Sequence, residues 1–246
     1  MAPSTTRRYP FPPVRPAAGW LPARPWNGLT ILDAYCCQGG AGMGYYLAGF
    51  NVLGVDKDPQ PRYPFAFVQG DAVEFIAWHG HRFDFVHGSP PCQHDSETQR
   101  LQRNDHPDLI GPTREAMESA GRPWVIENVG GAVPKLRSPQ MLCGLMAGLE
   151  TYRHRYFETS PGFTLTVPHH PVHTVPQAKM GRPVPPGHYG HYVGNFSGVP
   201  RARQVMHVPW MNRDGIRESI PPAYTELIGR QAAAHLGAAP AARAAA

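Results

Sequence analysis

Cys92 stands behind two prolines, Pro90 and Pro91, at the end of a short apolar run in the stretch FDFVHGSPPCQ, residues 83–93. A thiol adds to an electrophilic carbon once part of it is ionised, so position and surroundings decide whether a cysteine is chemical or structural. Phe83, Phe85 and Val86 suit a central strand covered on both faces. A Pro-Pro pair cannot donate to a sheet ladder and has nearly fixed φ, so the backbone leaving that strand is stiff. In open α/β sheets the carboxyl ends of strands are where ligands bind. Cys92 is therefore placed like a nucleophile, with a buried structural cysteine as the plain alternative. A second chemical pair, Glu127-Asn128, closes the apolar stretch 123–126. There it would share a pocket with Cys92 and hold a flat, hydrogen-bonding substrate, or else cap the strand. Arg153 and Arg155 alternate in RHRYFE, residues 153–158, as cations on one face of a strand would.

The elements that must position these groups follow in order. A strand over 29–34 runs into YCCQGGAGMG, a glycine-rich turn opening an amphipathic helix through Phe50. Residues 51–55 read as a second strand closed by Asp56, 17 residues beyond Gly39. Such glycines let a backbone approach a nucleoside closely, and the acid can accept from ribose hydroxyls. A third strand, 65–69, leads to Asp71, which is either a second nucleoside acceptor, for an exocyclic amine, or the N-cap of a helix ending near Trp78. Helices are expected over 112–120, over 141–149 with a structural Cys143 inside, and over 216–236. The fold class is α/β, a doubly wound, mostly parallel sheet with a small irregular region. The expected divisions are a proline-rich arm (1–26), a catalytic and cofactor-binding domain (27–158), a target-recognition region (159–215) and a C-terminal helix with a frayed tail (216–246).

Composition bounds the function. The 246 residues are 41% hydrophobic, enough for one substantial core. No apolar run reaches the roughly 18 residues of a membrane span, and no apolar leader opens the chain, so a cytoplasmic protein of a bacterium or phage-infected host is expected. Lys and Arg outnumber Asp and Glu by 23 to 18, a bias compatible with a polyanionic partner. Residues 163–212 intersperse Lys179, Arg182, Arg201 and Arg203 with Tyr189, Tyr192 and Phe196, a mixture suited to phosphates and unstacked bases. His169, His170, His173, His188 and His191 fit no standard zinc spacing and have no cysteine nearby in sequence, so no metal is expected.

In order and spacing, the glycine loop, Asp56, Asp71, Ser89-Pro90-Pro91-Cys92-Gln93, Glu127-Asn128-Val129 and Arg153-x-Arg155 resemble the DNA cytosine carbon-5 methyltransferase family, its compact phage-encoded forms in particular. The resemblance covers residues 29–158 and, more loosely, the last helix. It implies a Rossmann-like fold binding S-adenosylmethionine through Tyr35, Gly39, Gly40, Gly42, Asp56, Asp71 and Pro90. It also implies that Cys92, presented by Pro91, adds to carbon 6 of cytosine. Glu127 would hydrogen-bond ring nitrogen 3 and the amine, Asn128 would brace the loop, and Arg155, on the same face as Arg153, would contact oxygen 2. Double-stranded DNA is the implied partner, its base flipped out, and the acting unit a monomer. Amino-group methyltransferases carry Asn or Asp before Pro-Pro, whereas a cysteine points to a ring carbon.

Two departures stand out: Tyr35 and Cys37 occupy the places of the family's aromatic and first glycine, and Ile220-Pro221-Pro222-Ala223-Tyr224 replaces its closing asparagine motif. The alternatives are a tRNA cytosine methyltransferase, an altered cofactor, a catalytically idle DNA-binding protein, and a hydrolase pairing Cys92 with His94.

Overall fold

A computed structural model describes residues 21–24, 26–91 and 108–238. Seven strands form one sheet: β1 (Thr30–Ala34), β2 (Asn51–Asp56), β3 (Ala66–Gln69), β4 (Phe85–Gly88), β5 (Trp124–Asn128), β6 (Gln140–Leu142) and β7 (Arg155–Thr159). Their order across the sheet is β3-β2-β1-β4-β5-β7-β6. The first five pair in parallel, and β7 runs antiparallel to both β5 and β6. Successive residues of the inner strands go to opposite cores: Ile31, Phe85 and Val125 to one face, Leu32, Val86 and Ile126 to the other. That is why these strands read as unbroken apolar runs, since a parallel sheet is covered on both sides. The strand order turns back between β1 and β4, so the carboxyl ends of those strands flank a topological switch point.

Helices α1 (Gly40–Leu47) and α6 (Pro222–His235) cover the first face; α2 (Ala72–His79) and α3 (Ile110–Ala120) cover the second. α1 and α6 lie in very close contact, for a Cβ at Gly44 would collide with the Pro222 carbonyl and the Thr225 hydroxyl. The Thr225 hydroxyl also donates to the Ala41 carbonyl at 2.8 Å. α4 (Val199–Met206) and α5 (Arg213–Glu218) build a third, smaller core from Tyr192, Phe196, Ala202, Val205, Met206, Val208, Met211 and Ile216.

The structure corrects several expected elements. Residues 141–149 are not a helix: β6 ends at Leu142, opposite Arg155 of β7, and a short 3-10 turn (Gly144–Ala147) follows. Pairing with β7 overrides the helical pattern, and Gly148, at φ 71°, stops the turn. The single last helix is two, α5 and α6, because Pro221-Pro222 cannot continue α5, while Pro222 suits the first turn of α6. α1 stops at Leu47, short of Phe50, ahead of Gly49 at φ 103°. No helix among the described residues is long and apolar enough to cross a membrane.

Candidate functional site

The carboxyl ends of β4 and β5 carry a buried chain of polar groups. Gly88 pairs with Ile126, so Ser89, just past the end of β4, comes beside Glu127 of β5. His87, fully buried on β4, has the Tyr45 hydroxyl 3.0 Å from Nδ1 and the Ser89 hydroxyl 2.7 Å from Nε2. Burial pushes this imidazole down to about 3, so it is neutral. With Glu127 ionised, the proton positions are set: Tyr45 donates to Nδ1, Nε2–H donates to Ser89, and Ser89 donates to the Glu127 carboxylate.

Glu127 is 5% exposed, and burial pushes its carboxyl up against the opposing pull of Arg155, Arg153 and the Ser89 hydroxyl. Arg155 Nε lies 2.9 Å from Oε1, yet that oxygen receives no aligned hydrogen bond among the described residues. The contact is thus an ion pair whose N–H is not aimed at the oxygen, and Oε1 keeps an unused acceptor. Such a group is costly to bury without a partner. Asn128 joins β5 to the Pro-Pro segment: Nδ2 donates to the Pro90 carbonyl at 3.0 Å, and Oδ1 accepts from Val129 N–H at 2.9 Å. Pro90 is buried and Pro91 exposed. The expected nucleophile Cys92, with Gln93, His94, Arg100 and Arg103, lies outside the described residues.

Arg153 and Arg155 do not share a strand face. Arg153 precedes β7 with φ 31°, and its guanidinium donates to the carbonyls of Tyr192, Ile216, Arg217 and Ser219 at 2.5–3.0 Å. It ties the segment between α5 and α6 to the sheet, while Arg155 forms an ion pair with the Glu127 carboxylate.

At the ends of β1, β2 and β3 the polar groups are held by the protein itself. Asp56 Oδ2 accepts from Cys37 N–H at 2.9 Å and Oδ1 from Asp58 N–H at 3.1 Å, so this acid fixes the glycine-rich turn. Asp71 caps α2, accepting from Glu74 N–H at 2.8 Å. Tyr35 takes a left-handed φ of 60°, with its hydroxyl 2.7 Å from that of Thr113. The glycines lie close to protein atoms: a Cβ at Gly39 would crowd Tyr63 and Pro64, one at Gly40 would strike Ser219 and Ile220, and one at Gly42 would meet Asp33 and Tyr63. Close packing of the turn against the chain thus requires glycine at these three positions, whatever else their backbone meets.

Two buried titratable groups, Asp33 and His87, and their partners carry no motif that marks them in the sequence. Asp33, on β1, accepts from the Tyr63 hydroxyl at 3.0 Å, and burial pushes its carboxyl up to about 8. His87 was legible as a titratable residue inside an apolar strand, directly before Gly88 and Ser89. Tyr45, its partner, sits 42 residues earlier and carries no local signal.

The basic and aromatic residues of 163–212 divide. Tyr192 and Phe196 are each 2% exposed and pack edge to face in the third core, so they are not free to stack on bases. Arg201 pairs with Glu150, and Arg203 donates to the Met211 carbonyl at 2.7 Å, whereas Lys179 and Arg182 are exposed. Among the histidines, His170 and His173 converge on His154 and Cys143, while His188 Nδ1 lies 3.1 Å from the Pro186 carbonyl. A cavity of about 280 Å³ lies between Cys143 and α6, and Tyr45, His87, Ser89 and Glu127 are not among its lining residues.

No protein-family model and no curated protein matches this chain. Solved structures that resemble it include the S. pombe Dnmt2 methyltransferase, at 17% identity over 53% of this chain and 50% of that one, with a TM-score of 0.37. The Entamoeba histolytica methyltransferase EhMeth aligns at 13% identity over 60% and 58%, with a TM-score of 0.39. Burkholderia thailandensis 1,6-didemethyltoxoflavin-N1-methyltransferase, solved with its substrate and S-adenosylhomocysteine, aligns at 18% identity over 55% and 54%, with a TM-score of 0.29. The chain spans between half and three-fifths of the length of each. The reading of activity therefore rests on the geometry of the site.

Proposed function

We propose that this protein transfers a methyl group from S-adenosylmethionine to carbon 5 of cytosine in double-stranded DNA, acting as a monomer through a Cys92 adduct at carbon 6. The observation that carries the reading is the buried Glu127 carboxylate, with an unused acceptor beside Arg155, at a strand end adjoining the one whose Ser89-Pro90-Pro91 leads into Cys92.

Carbon 5 of cytosine is a poor nucleophile, and a thiolate bonded to carbon 6 pushes electron density toward it. Glu127, its pKa raised by burial, can hold a proton for ring nitrogen 3 while its other oxygen accepts from the exocyclic amine. Arg155 faces the same substrate edge, where oxygen 2 lies. Asn128, by holding the Pro90 carbonyl, fixes where the chain leaves toward the thiol. Once carbon 5 carries the methyl, a water takes its proton, the carbon 5–carbon 6 double bond re-forms and the C–S bond breaks, returning Cys92 and leaving 5-methylcytosine.

S-adenosylmethionine would supply the electrophilic methyl. The acids at the strand ends fit its adenosine: a carboxylate offers about four lone-pair sites, and Asp56 uses two of them on Cys37 and Asp58, leaving others for ribose hydroxyls. Asp71 keeps an oxygen beyond its cap bond for the adenine amine.

The test is transfer of labelled methyl groups to duplex DNA and to tRNA side by side, with nucleosides analysed after digestion. 5-Methylcytosine in DNA is the expected product. Label in tRNA alone would move the substrate to RNA, and no label in either would remove the reading.

A further inference from the structure

Cys143, His154, His170 and His173 bring four metal-ligating atoms within 4.8 Å of one another. They come from three places in the chain. Cys143 follows β6 and His154 precedes β7, and because Leu142 pairs with Arg155 the two side chains sit at the same end of this antiparallel pair. The Gly144 N–H donates to the Tyr152 carbonyl at 2.7 Å, which extends the pairing beyond the strands. His170 and His173 come from the long stretch after β7, which up to α4 holds only an isolated bridge between Gln177 and Tyr189 among the described residues.

The distances exclude an ordinary hydrogen-bonded cluster. His173 Nε2 lies 3.1 Å from His170 Nε2, 3.4 Å from His154 Nε2 and 3.4 Å from Cys143 Sγ. A ring nitrogen offers one in-plane N–H or one lone pair, so it cannot serve three such partners. A common cation accounts for all three contacts. Tetrahedral zinc, with Zn–N of about 2.0–2.1 Å and Zn–S of about 2.3 Å, sets its ligand atoms roughly 3.3–3.6 Å apart, close to the three separations from His173.

The His173 ring is held in place by stacking on Tyr152, with centroids 3.6 Å apart and planes 5° from parallel. The Tyr152 hydroxyl in turn donates to the Val175 carbonyl. The rings of His154 and His170 lie 5.0 and 4.9 Å from that of His173, at 31° and 60° to its plane.

We propose that Cys143, His154, His170 and His173 bind a structural zinc ion that fastens the irregular stretch after β7 to the β6–β7 edge. One thiolate and three imidazoles favour zinc over magnesium or calcium, which take oxygen ligands. Four protein ligands complete a tetrahedron and leave no open position, as in structural sites. Binding deprotonates the Cys143 thiol and releases that proton to solvent, so the liganded site carries a net charge of +1. His154 adjoins Arg155, whose Nη1 donates to the His154 carbonyl at 2.9 Å, so the ion would also steady the arginine beside Glu127. This inference stands on the cluster alone and does not depend on the methyl-transfer reading.

The experiment uses the full chain, purified, exposed to Zn²⁺, passed through a desalting column, and measured for metal by mass spectrometry. A single retained zinc per chain is expected for the wild type and for His169→Ala and His188→Ala, with loss of the ion in His170→Ala and His173→Ala. Substitution with Co²⁺ should give the intense visible bands of a tetrahedral site with a thiolate-to-metal charge-transfer band, and Cys143→Ser should lose that band. A wild type that retains no metal, an octahedral cobalt spectrum without a thiolate band, or undiminished zinc in His170→Ala and His173→Ala would overturn the proposal. Should a variant fail to fold, the wild-type cobalt spectrum decides on its own.

Discussion

The two halves of the sheet's carboxyl edge satisfy their polar groups differently. At β1 and β2, Asp33 is hydrogen-bonded by Tyr63, Asp56 by two backbone N–H groups, and the glycines are closed over by Tyr63, Ser219 and Ile220. At β4 and β5, a relay of Tyr45, His87 and Ser89 ends on a buried carboxylate that still has an unmatched acceptor. Buried polar groups are nearly always partnered, and an exception calls for a physical explanation, a catalytic role among them. The first half therefore reads as scaffold with binding capacity at its rim, and the second as the reacting edge.

The largest effect that would break this contrast is expected at Glu127. Glu127→Gln keeps the volume but loses the proton, so single-turnover methylation should slow by about 10²-fold or more while affinity for duplex DNA changes little. A lowered melting temperature with an unchanged rate per folded molecule would instead make Glu127 scaffold as well. Asp56→Ala, on the other half, should affect two readouts together. Losing charge-assisted hydrogen bonds should weaken S-adenosylmethionine by about 1.5–3 kcal/mol and also destabilise the turn that Asp56 holds. Calorimetric binding and thermal denaturation of one preparation would show whether the two effects travel together.

Gly44→Ala sharpens the contrast from the packing side. Its Cβ would collide with Pro222 and Thr225, so stability should fall by about 1–3 kcal/mol without any change in the rate per folded molecule. A further effect concerns pH. Asp33 has a folded-state value of about 8 against an ordinary 3.8, so the native state holds a proton that the unfolded chain gives up. The stability from this group is full below about pH 4 and declines as pH rises to about 8, by at most about 1.4 kcal/mol per unit. Asp33→Asn keeps an acceptor for Tyr63 and should lack that slope. Identical pH profiles of denaturant midpoint in the two proteins would show that Asp33 is ionised throughout.

Much of the frame was legible in the sequence because it rests on local signals. Doubly covered strands appear as apolar runs such as Phe85-Val86, and their ends are marked by Pro90-Pro91, Asp56 or Glu127. What the chain hid were choices made in three dimensions. Residues 141–149 carry a helical pattern, but the ladder with β7 is worth more than propensity. Arg153 and Arg155 alternate in sequence, yet a left-handed residue at 153 turns the first guanidinium onto carbonyls more than 60 positions away. Cys143 joins His154, His170 and His173 at intervals that match no repeating motif, because the β6–β7 pairing and a loop return set their meeting point. Gly39, Gly40 and Gly42 are required by close contacts with Tyr63, Ser219 and Ile220 that the sequence does not mark, since a glycine requirement does not say what approaches it.

The central claim, a Cys92 adduct assisted by Glu127, is tested most directly with duplex DNA carrying 5-fluorocytosine in the presence of S-adenosylmethionine. Fluorine cannot leave as the proton does, so the adduct should accumulate. The wild type should give a protein–DNA complex that survives denaturation, Glu127→Gln should form it about 10²-fold more slowly, and Cys92→Ser should form none. A wild type that methylates ordinary duplex DNA without trapping, or trapping undiminished in Cys92→Ser, would contradict the account.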